Sequence, residues 1–233
     1  MDSISIIRTP IESELEAFKE LYDSSLSSSN TLLDSVVAHI RQRSGKMMRP
    51  ILVLLVARLY GVVSPATLHA AVSLELLHNA SLVHDDVVDE STERRGQLSV
   101  NAIFNNKVAV LTGDYLLATS LVHAELTNSH QIIRLVSSLG QDLADGELLQ
   151  LSNVSNHSFS ETVYFDVIRK KTAALFAACT EAAAYSVGVS EEEVKLARLL
   201  GEYIGICFQI KEDIYDYFDS KEIGNPTGND MLE

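Results

Sequence analysis

The sequence has no tryptophan and, in 233 residues, only four prolines and two cysteines. Cys179 and Cys207 both lie in apolar helical contexts and form no CxxC pair, which indicates two buried thiols in a reducing compartment rather than a disulfide scaffold. Long hydrophobic runs are also missing: the longest uncharged one is residues 50–57, far short of the roughly 20 residues that cross a bilayer. The acidic N-terminus lacks the apolar segment of a signal peptide. These absences predict a soluble, cytoplasmic protein.

Basic residues are scarce, with 18 Lys and Arg against 32 Asp and Glu, so the formal net charge is −14. This balance argues against binding to a nucleic acid backbone, which requires clustered positive charge. It leaves room for a polyanionic ligand of another kind, because carboxylates can hold Mg²⁺ and the metal can hold phosphates.

Apolar residues recur at helical spacing along almost the whole chain, whereas strand alternation and glycine-containing hairpin signals are missing. The predicted helices span residues 11–24, 30–43, 47–59, 65–89, 99–105, 108–127, 130–152, 160–186 and 190–219. Helix starts are indicated by Ser64 before Pro65 and by the Ser190 and Glu193 capping pattern, and helix ends by Gly188 and Gly224. No repeat or linker divides the chain, which predicts one all-α domain over residues 1–233.

Two acidic clusters share the same internal spacing. Asp85 and Asp89 are four residues apart, so they project from one face of a helix about 6 Å apart and repel each other unless a cation lies between them. Residues 212–216 (EDIYD) repeat the arrangement 127 residues later on another apolar helix. Each cluster alone is equally well read as a solvated helix end. Together they predict a site for hard divalent cations, with a diphosphate as the natural further ligand.

The few basic residues are grouped around these clusters. Lys46 and Arg49 flank the start of an apolar helix, where an anion site is favoured. Arg94 and Arg95 follow the first acidic cluster, and an arginine fork suits a diphosphate. Singly, each of these cations would be an ordinary solvated charge; His78, likewise, would be an ordinary core histidine.

At this point the sequence resembles the head-to-tail trans-isoprenyl diphosphate synthases, or polyprenyl synthetases. Residues 75–89 (ELLHNASLVHDDVVD) look like the first aspartate-rich motif of that family, and residues 208–217 (FQIKEDIYDY) look like the second. The early basic motif, the arginine pair and the mid-chain Lys-Thr of the family are matched by residues 45–50, 94–96 and 171–172. The resemblance runs from about residue 40 to the end of the sequence.

The resemblance implies an isoprenoid-synthase-type bundle of antiparallel helices around a central apolar cavity, acting with Mg²⁺ or, as a substitute, Mn²⁺. The implied metal ligands are Asp85, Asp89, Glu212, Asp213 and Asp216. Isopentenyl diphosphate would be held by Lys46, Arg49, His78 and Arg95. The allylic diphosphate would be contacted by Arg94, Lys171, Thr172 and Gln209, the last three near the developing carbocation as catalytic residues.

Three departures from the family pattern stand out. Glu212 replaces the usual Asp, Asn225 replaces a common Lys, and relatives continue past residues 228–230 into further helices. The domain is therefore expected to lack the family's last helices, which leaves the activity of this chain open.

The implied reaction is condensation of isopentenyl diphosphate with an allylic diphosphate to a trans polyprenyl diphosphate. Ala80 and Ser81, one turn before Asp85, are small; in relatives bulky aromatics there close the pocket. An open pocket predicts a product of C30 or longer. Relatives are usually homodimers, and release of a long product is compatible with peripheral membrane contact.

Four other interpretations of these motifs compete with this one. A non-catalytic or regulatory synthase-like subunit is favoured by Glu212 and Asn225 but opposed by the intact first motif. A di-iron carboxylate bundle needs two Glu-x-x-His motifs and two more Glu, and only residues 75–78 match. A terpene cyclase would not need a second set of diphosphate-binding cations, and a metal-free scaffold explains neither the clusters nor the cations.

Overall fold

In a computed structural model, residues 3–42, 47–94, 96–156 and 160–217 are described. The helices in these ranges are α1 (Ser3–Arg8), α2 (Glu12–Ser25), α3 (Thr31–Gln42), α4 (Met48–Tyr60), α5 (Pro65–Val88), α6 (Val100–Phe104), α7 (Asn106–Leu126), α8 (His130–Asn156), α9 (Glu161–Ile168), α10 (Ala174–Ser186) and α11 (Glu191–Tyr217). A 3₁₀ turn, Thr9–Ile11, joins α1 to α2. The prediction of an all-α fold is confirmed.

The helix ends follow the capping residues that the sequence contains. At the start of α5, the Ser64 hydroxyl accepts a hydrogen bond from the backbone of Thr67, and Pro65 occupies the first helical turn. At the start of α11, Glu193 accepts from the backbone N–H of Ser190 in the predicted capping box. Gly188 ends the preceding helix region with φ +72°, a left-handed conformation that glycine adopts without strain. Gly224 lies outside the described residues.

Helix α10 is the central helix of the bundle. Its side chains are almost all buried, including Leu175, Phe176 and Cys179, and it packs against α4, α5, α8 and α11. A helix that is apolar on every face has to be surrounded by others, as the sequence of this segment predicts. The core thus places α5, α8 and α11, which carry the acidic residues, around one central helix.

The most extensive helix pair is α5 with α7. Small residues allow the close approach: a side chain at Gly113 of α7 would overlap the His84 ring of α5. Ser73 also donates a hydrogen bond across the pair to the Ser120 carbonyl at 2.8 Å. This packing fixes the end of α5, where the first acidic cluster begins.

The sequence analysis was wrong about strands. Strands β1 (Glu93–Arg94) and β2 (Gln97–Leu98) form an antiparallel pair, with Gly96 at φ +73° between them. Two-residue strands are too short to show alternation, so only the glycine could have indicated the turn.

Two other expectations also need correction. Cys179 is buried, but Cys207 is exposed, because it faces outward from α11. The single helix predicted over residues 160–186 is interrupted at Arg169–Ala173 by a turn of π-helix, which apolar periodicity does not reveal. No helix in the described part of the chain is both long and apolar enough to cross a membrane.

Candidate active site

The first acidic cluster lies at the C-terminal end of α5. Asp85 is half-buried in the last helical turn, and Asp89 is the exposed residue that caps the helix. Asp86 points the other way: it is 1% exposed and accepts a hydrogen bond from Nε of Arg94 at 2.5 Å. Asn101 donates to the backbone carbonyl of Asp86 at 3.0 Å. Asp86 therefore fixes the β1–β2 hairpin, and with it Arg94, against the end of α5.

The surroundings of Asp85 disfavour the ionised form of its carboxyl group. Burial raises the pKa of Asp85 to about 7, and the negative charges of Glu147 and Asp89 raise it further, although Lys171 and Arg94 oppose the shift. A carboxyl with such a pKa favours a proton or a cation beside it. The charged residues that shift this pKa are Asp89 at the end of α5, Glu147 of α8, Arg94 of the hairpin and Lys171 of the π turn. These four elements therefore meet near Asp85.

Lys171 is a second basic residue, after Arg94, whose charge acts on this cluster. Its ammonium donates to Gln150 at 2.9 Å and pairs with Glu147 of α8, also at 2.9 Å. Burial lowers the pKa of Lys171, but the hydrogen bond to Glu147 and the charges of Glu147, Asp85 and Asp89 outweigh it, so the net pKa is raised. Lys171 is therefore a permanently charged group facing the first cluster.

The next residue, Thr172, faces the second cluster. Its hydroxyl donates to Oε1 of Gln209 at 2.6 Å, and Nε2 of Gln209 donates to Oδ1 of Asp213 at 2.7 Å. The other oxygen of Asp213 accepts a hydrogen bond from the hydroxyl of Tyr164 on α9. Of two adjacent residues in one turn, Thr172 is therefore hydrogen-bonded through Gln209 to the second cluster, and Lys171 interacts electrostatically with the first.

Two glycines let the neighbouring helices approach this turn. A Cβ at Gly146 of α8 would lie 3.2 Å from Cβ of Lys170, and one at Gly205 of α11 would lie 2.5 Å from Cα of Ala173. A π turn widens a helix locally, and such turns are frequent at functional sites. The π turn with its two flanking glycines places Lys171 and Thr172 between α8 and α11.

Arg49 and His78 lie on a different side of α10. The guanidinium of Arg49 stacks over the Phe176 ring, 5.3 Å from its centroid, and His78 is buried at 8% exposure. Burial raises the pKa of the Cys179 thiol to about 12, with Arg49 lowering it and Glu75 raising it. Arg49 and Glu75 are thus near the middle of α10, on α4 and α5.

Part of the predicted site lies outside the described residues. Lys46 and Arg95 are not described, nor is the side chain of Asp216, although its backbone belongs to α11. Glu212 is half-buried on α11. Within the described part of the chain, no group of three or more His, Cys, Asp or Glu side chains is arranged to hold a metal ion.

Three residues at this site were missed from the sequence: Glu147, Gln150 and Tyr164. They stand in no recognisable motif, and their role depends on which helices pack together. The available signal was Gly146, because a glycine inside a helical pattern usually marks a close approach.

The donor chemistry fits a hard divalent cation. All the candidate ligands are carboxylates, and the charges of Glu147 and Asp89 add to the burial that raises the pKa of Asp85 to about 7. Mg²⁺ is bound in proteins by one or two carboxylates, several waters and substrate phosphates. A site without a complete ring of protein ligands is compatible with that preference.

Comparison with known proteins gives consistent matches. The family model described as Polyprenyl synthetase matches residues 30–233. Heptaprenyl diphosphate synthase component 2 of Geobacillus stearothermophilus is 37% identical over 227 residues, which cover 96% of this chain and 70% of the relative.

Two solved structures share the fold. Geranylgeranyl pyrophosphate synthase from Bacteroides thetaiotaomicron has 75% sequence identity and a TM-score of 0.84, covering 100% of this chain and 70% of that one. A polyprenyl synthase from Caulobacter crescentus CB15, complexed with calcium and isoprenyl diphosphate, has 32% sequence identity and a TM-score of 0.93. The match covers 98% of this chain and 70% of the Caulobacter chain.

Proposed function

The chain belongs to the polyprenyl synthetase family, and on that premise we propose that it is a Mg²⁺-dependent trans-prenyltransferase. Its substrates are isopentenyl diphosphate and an allylic diphosphate. The observation that carries the proposal is the position of Lys171 and Thr172. The charge of Lys171 lowers the pKa of Asp85 in the first acidic cluster, and Thr172 reaches Asp213 in the second through Gln209.

The allylic diphosphate is bound between the two clusters. Asp85 and Asp89 of the first cluster and Glu212, Asp213 and Asp216 of the second would hold Mg²⁺, or Mn²⁺ in its place. When bound, the metal stabilises negative charge on the departing diphosphate. Calcium together with isoprenyl diphosphate in the Caulobacter relative supports a cation site in this fold.

The protein's own cations complete the binding of the leaving group. Arg94, oriented by Asp86, and Lys171, oriented by Glu147, donate hydrogen bonds to the diphosphate. Such preorganised donors favour the charge that develops when the allylic C–O bond breaks and its electron pair leaves with the diphosphate. Gln209 and Thr172 place polar oxygens near the resulting allylic cation.

Isopentenyl diphosphate would be held by the residues that the family resemblance implies, which are Lys46, Arg49, His78 and Arg95. Its double bond attacks the cation and forms the new C–C bond, and loss of a proton gives a trans double bond. The released diphosphate is the proton acceptor. The apolar side chains of α5 and α10 keep water away from the cation.

We propose a product of C30 or longer. The support is the small size of the side chains one turn before Asp85: Ala80 is 2% exposed, Ser81 beside it is half-buried, and neither is a bulky aromatic. The Geobacillus relative is named for a heptaprenyl product, whereas the Bacteroides structure is named for the shorter geranylgeranyl product. Product length therefore has to be measured on this chain.

The direct test is incubation with Mg²⁺, farnesyl diphosphate and labelled isopentenyl diphosphate, followed by chromatography of the dephosphorylated products. We expect incorporation that EDTA abolishes and that Asp85→Asn reduces by about 1,000-fold, a loss typical of removing a key electrostatic group. No incorporation by the protein at any Mg²⁺ concentration would contradict the proposal and favour a non-catalytic subunit.

Ala80→Phe tests the account of product length. A phenylalanine beneath Asp85 is expected to shift the products to shorter chains, because the ring fills the space into which the growing chain extends. The overpacking is expected to cost about 1–3 kcal/mol of stability, so Ser81→Phe at the less buried neighbour is measured beside it. An unchanged product distribution in both variants contradicts this account.

We propose a homodimer formed through α7. Its outer face exposes large apolar side chains, among them Leu111, Leu121 and Val122, and such a patch on a helix favours association. Sedimentation of Leu111→Arg is expected to show a monomer. Leu200→Arg on α11 changes another exposed leucine and serves as the matched control.

We also propose a cytoplasmic location and transient contact with a membrane. The exposed thiol of Cys207 fits a reducing compartment, and a long polyprenyl product is poorly soluble in water. Flotation with anionic liposomes is expected to recover more protein after turnover than before it.

A further inference from the structure

We propose that Tyr164 is a positioning residue for Asp213, and that its hydroxyl orients the Asp213 carboxylate for a divalent cation. This inference rests on the proposed function, in which Asp213 is a metal ligand. No motif of the sequence points to Tyr164; the structure alone brings it to the second acidic cluster.

The Asp213 carboxylate is held at both oxygens. Gln209 donates to Oδ1 at 2.7 Å, and the Tyr164 hydroxyl donates to Oδ2. The amide of Gln209 is itself oriented, because its Oε1 accepts from Thr172 at 2.6 Å. Two donors from two different helices fix the carboxylate plane, and each oxygen keeps a lone pair for a cation.

The π turn accounts for the geometry. Tyr164 and Thr172 are eight residues apart, which in a regular α-helix leaves them about 80° apart around the axis. Each residue of the Arg169–Ala173 π turn rotates by less, about 80° instead of 100°, and this brings the two side chains towards one face. Tyr164 then reaches Asp213 while Thr172 reaches Gln209, one turn earlier on the antiparallel α11.

The consequence is an indirect effect on metal binding. Side chains that orient metal ligands typically contribute about 10- to 100-fold to metal affinity. Without the phenol hydroxyl, Asp213 keeps only the donor from Gln209, and its carboxylate turns more freely. Tyr164→Phe removes that hydroxyl and keeps the ring that packs edge-on against Phe165, with centroids 5.4 Å apart.

The experiment is a titration with Mn²⁺ in the presence of inorganic pyrophosphate, followed by electron paramagnetic resonance. We expect Tyr164→Phe to weaken Mn²⁺ binding by about 10- to 100-fold, with a thermal midpoint close to that of the unmodified protein. Tyr203→Phe, which removes a hydroxyl from an exposed tyrosine of α11, is the matched control and is expected to bind as the unmodified protein does.

A double-mutant cycle separates an effect through Asp213 from a general one. If Tyr164 acts through Asp213, Tyr164→Phe has no further effect in the Asp213→Asn background. Unchanged Mn²⁺ binding in Tyr164→Phe, alongside weakened binding in Asp213→Asn, would overturn this inference and leave the proposed function standing. Unchanged binding in both Asp213→Asn and Asp85→Asn would overturn the proposed function itself.

Discussion

Lys170 and Lys171 are adjacent and both pair with carboxylates of α8, but their partners differ. Lys170 pairs with Asp145 at 2.5 Å, whereas Lys171 lies between Glu147 and Gln150 and also interacts with Asp85 and Asp89 of the first acidic cluster. The resemblance already singles out Lys171, and the structure shows that this lysine, and not Lys170, interacts with Asp85 and Asp89. The pair is therefore a natural comparison at the scale of a single residue.

Replacing Lys171 tests whether it stabilises the leaving group. Lys171→Gln is expected to lower kcat by about 100-fold, because a preorganised charge at the diphosphate is lost. Lys170→Gln is the matched control and is expected to change kcat less than threefold. Steady-state assays with labelled isopentenyl diphosphate compare the two, and equal effects would show that Lys171 has no special role.

His69 and His123 form a second residue-scale feature, between α5 and α7. Their Nδ1 atoms are 3.0 Å apart, so one ring donates and the other accepts. Burial lowers the pKa of His123 to about 4, and the neighbouring His69 lowers it further. Burial also lowers the pKa of His69. Both rings are neutral in the folded protein at neutral pH.

The pair makes stability depend on pH. At pH values between about 4 and 6.5, His123 is protonated in the unfolded chain but stays neutral in the folded chain. The free energy of unfolding therefore falls as the pH drops from 6.5 towards 4, by at most about 1.4 kcal/mol per pH unit for this group. Urea titrations of His123→Gln should show a shallower decline over this range, whereas the exposed His130→Gln should follow the unmodified protein; identical slopes for all three would refute the assignment.

At the scale of elements, the sequence predicted the helices well because their apolar faces repeat regularly. The helix predicted over residues 65–89 is observed as α5, Pro65–Val88. The helix predicted over residues 190–219 is observed as α11, Glu191–Tyr217. Capping residues such as Ser64 and Ser190 explain the accurate starts. The hairpin and the π turn were missed because neither has a periodic signal. Each depends on contacts that only the folded chain makes: Asp86 with Arg94, and Gly205 with Ala173.

Gly205 tests how closely α11 has to approach the π turn. In Gly205→Ala the new Cβ lies 2.5 Å from Cα of Ala173, so α11 has to move away and lengthen the bond between Thr172 and Gln209. We expect a loss of about 1–3 kcal/mol of stability together with weaker Mn²⁺ binding.

Gly140→Ala is the control within another helix. Its Cβ would meet nothing closer than Leu77 at 4.0 Å, so the better helix propensity of alanine should stabilise the protein by up to about 1 kcal/mol. Chemical denaturation measures both variants. If Gly205→Ala were as stable as Gly140→Ala, the close approach would not matter.

At the scale of the whole molecule, the repeated spacing of the two acidic clusters was enough to predict a diphosphate site. The sequence could not show that Glu147 of α8 pairs with Lys171 or that Tyr164 of α9 donates to Asp213. The i, i+4 spacing selected Asp85 and Asp89 and left out Asp86, but it could not show that the Asp86 carboxylate pairs with Arg94 of the hairpin. The assignment of one domain over residues 1–233 stays a prediction.

Ligand-dependent stability tests the site as a unit. A ligand that binds only the folded chain stabilises it by about 2.7 kcal/mol at 100 times its Kd. We expect Mg²⁺ and pyrophosphate together to raise Tm, and pyrophosphate with EDTA to leave it unchanged, because carboxylates repel a bare diphosphate. Calorimetric scans measure this, and an equal rise in EDTA would contradict metal-mediated binding.

The central claim is that both acidic clusters hold divalent cations around one diphosphate. Anomalous diffraction from crystals grown with Mn²⁺ and pyrophosphate measures this directly. The account predicts Mn²⁺ peaks at about 2.0–2.3 Å from carboxylate oxygens of Asp85 or Asp89 and of Asp213, with pyrophosphate bridging them. Peaks at only one cluster, or at neither, would contradict it.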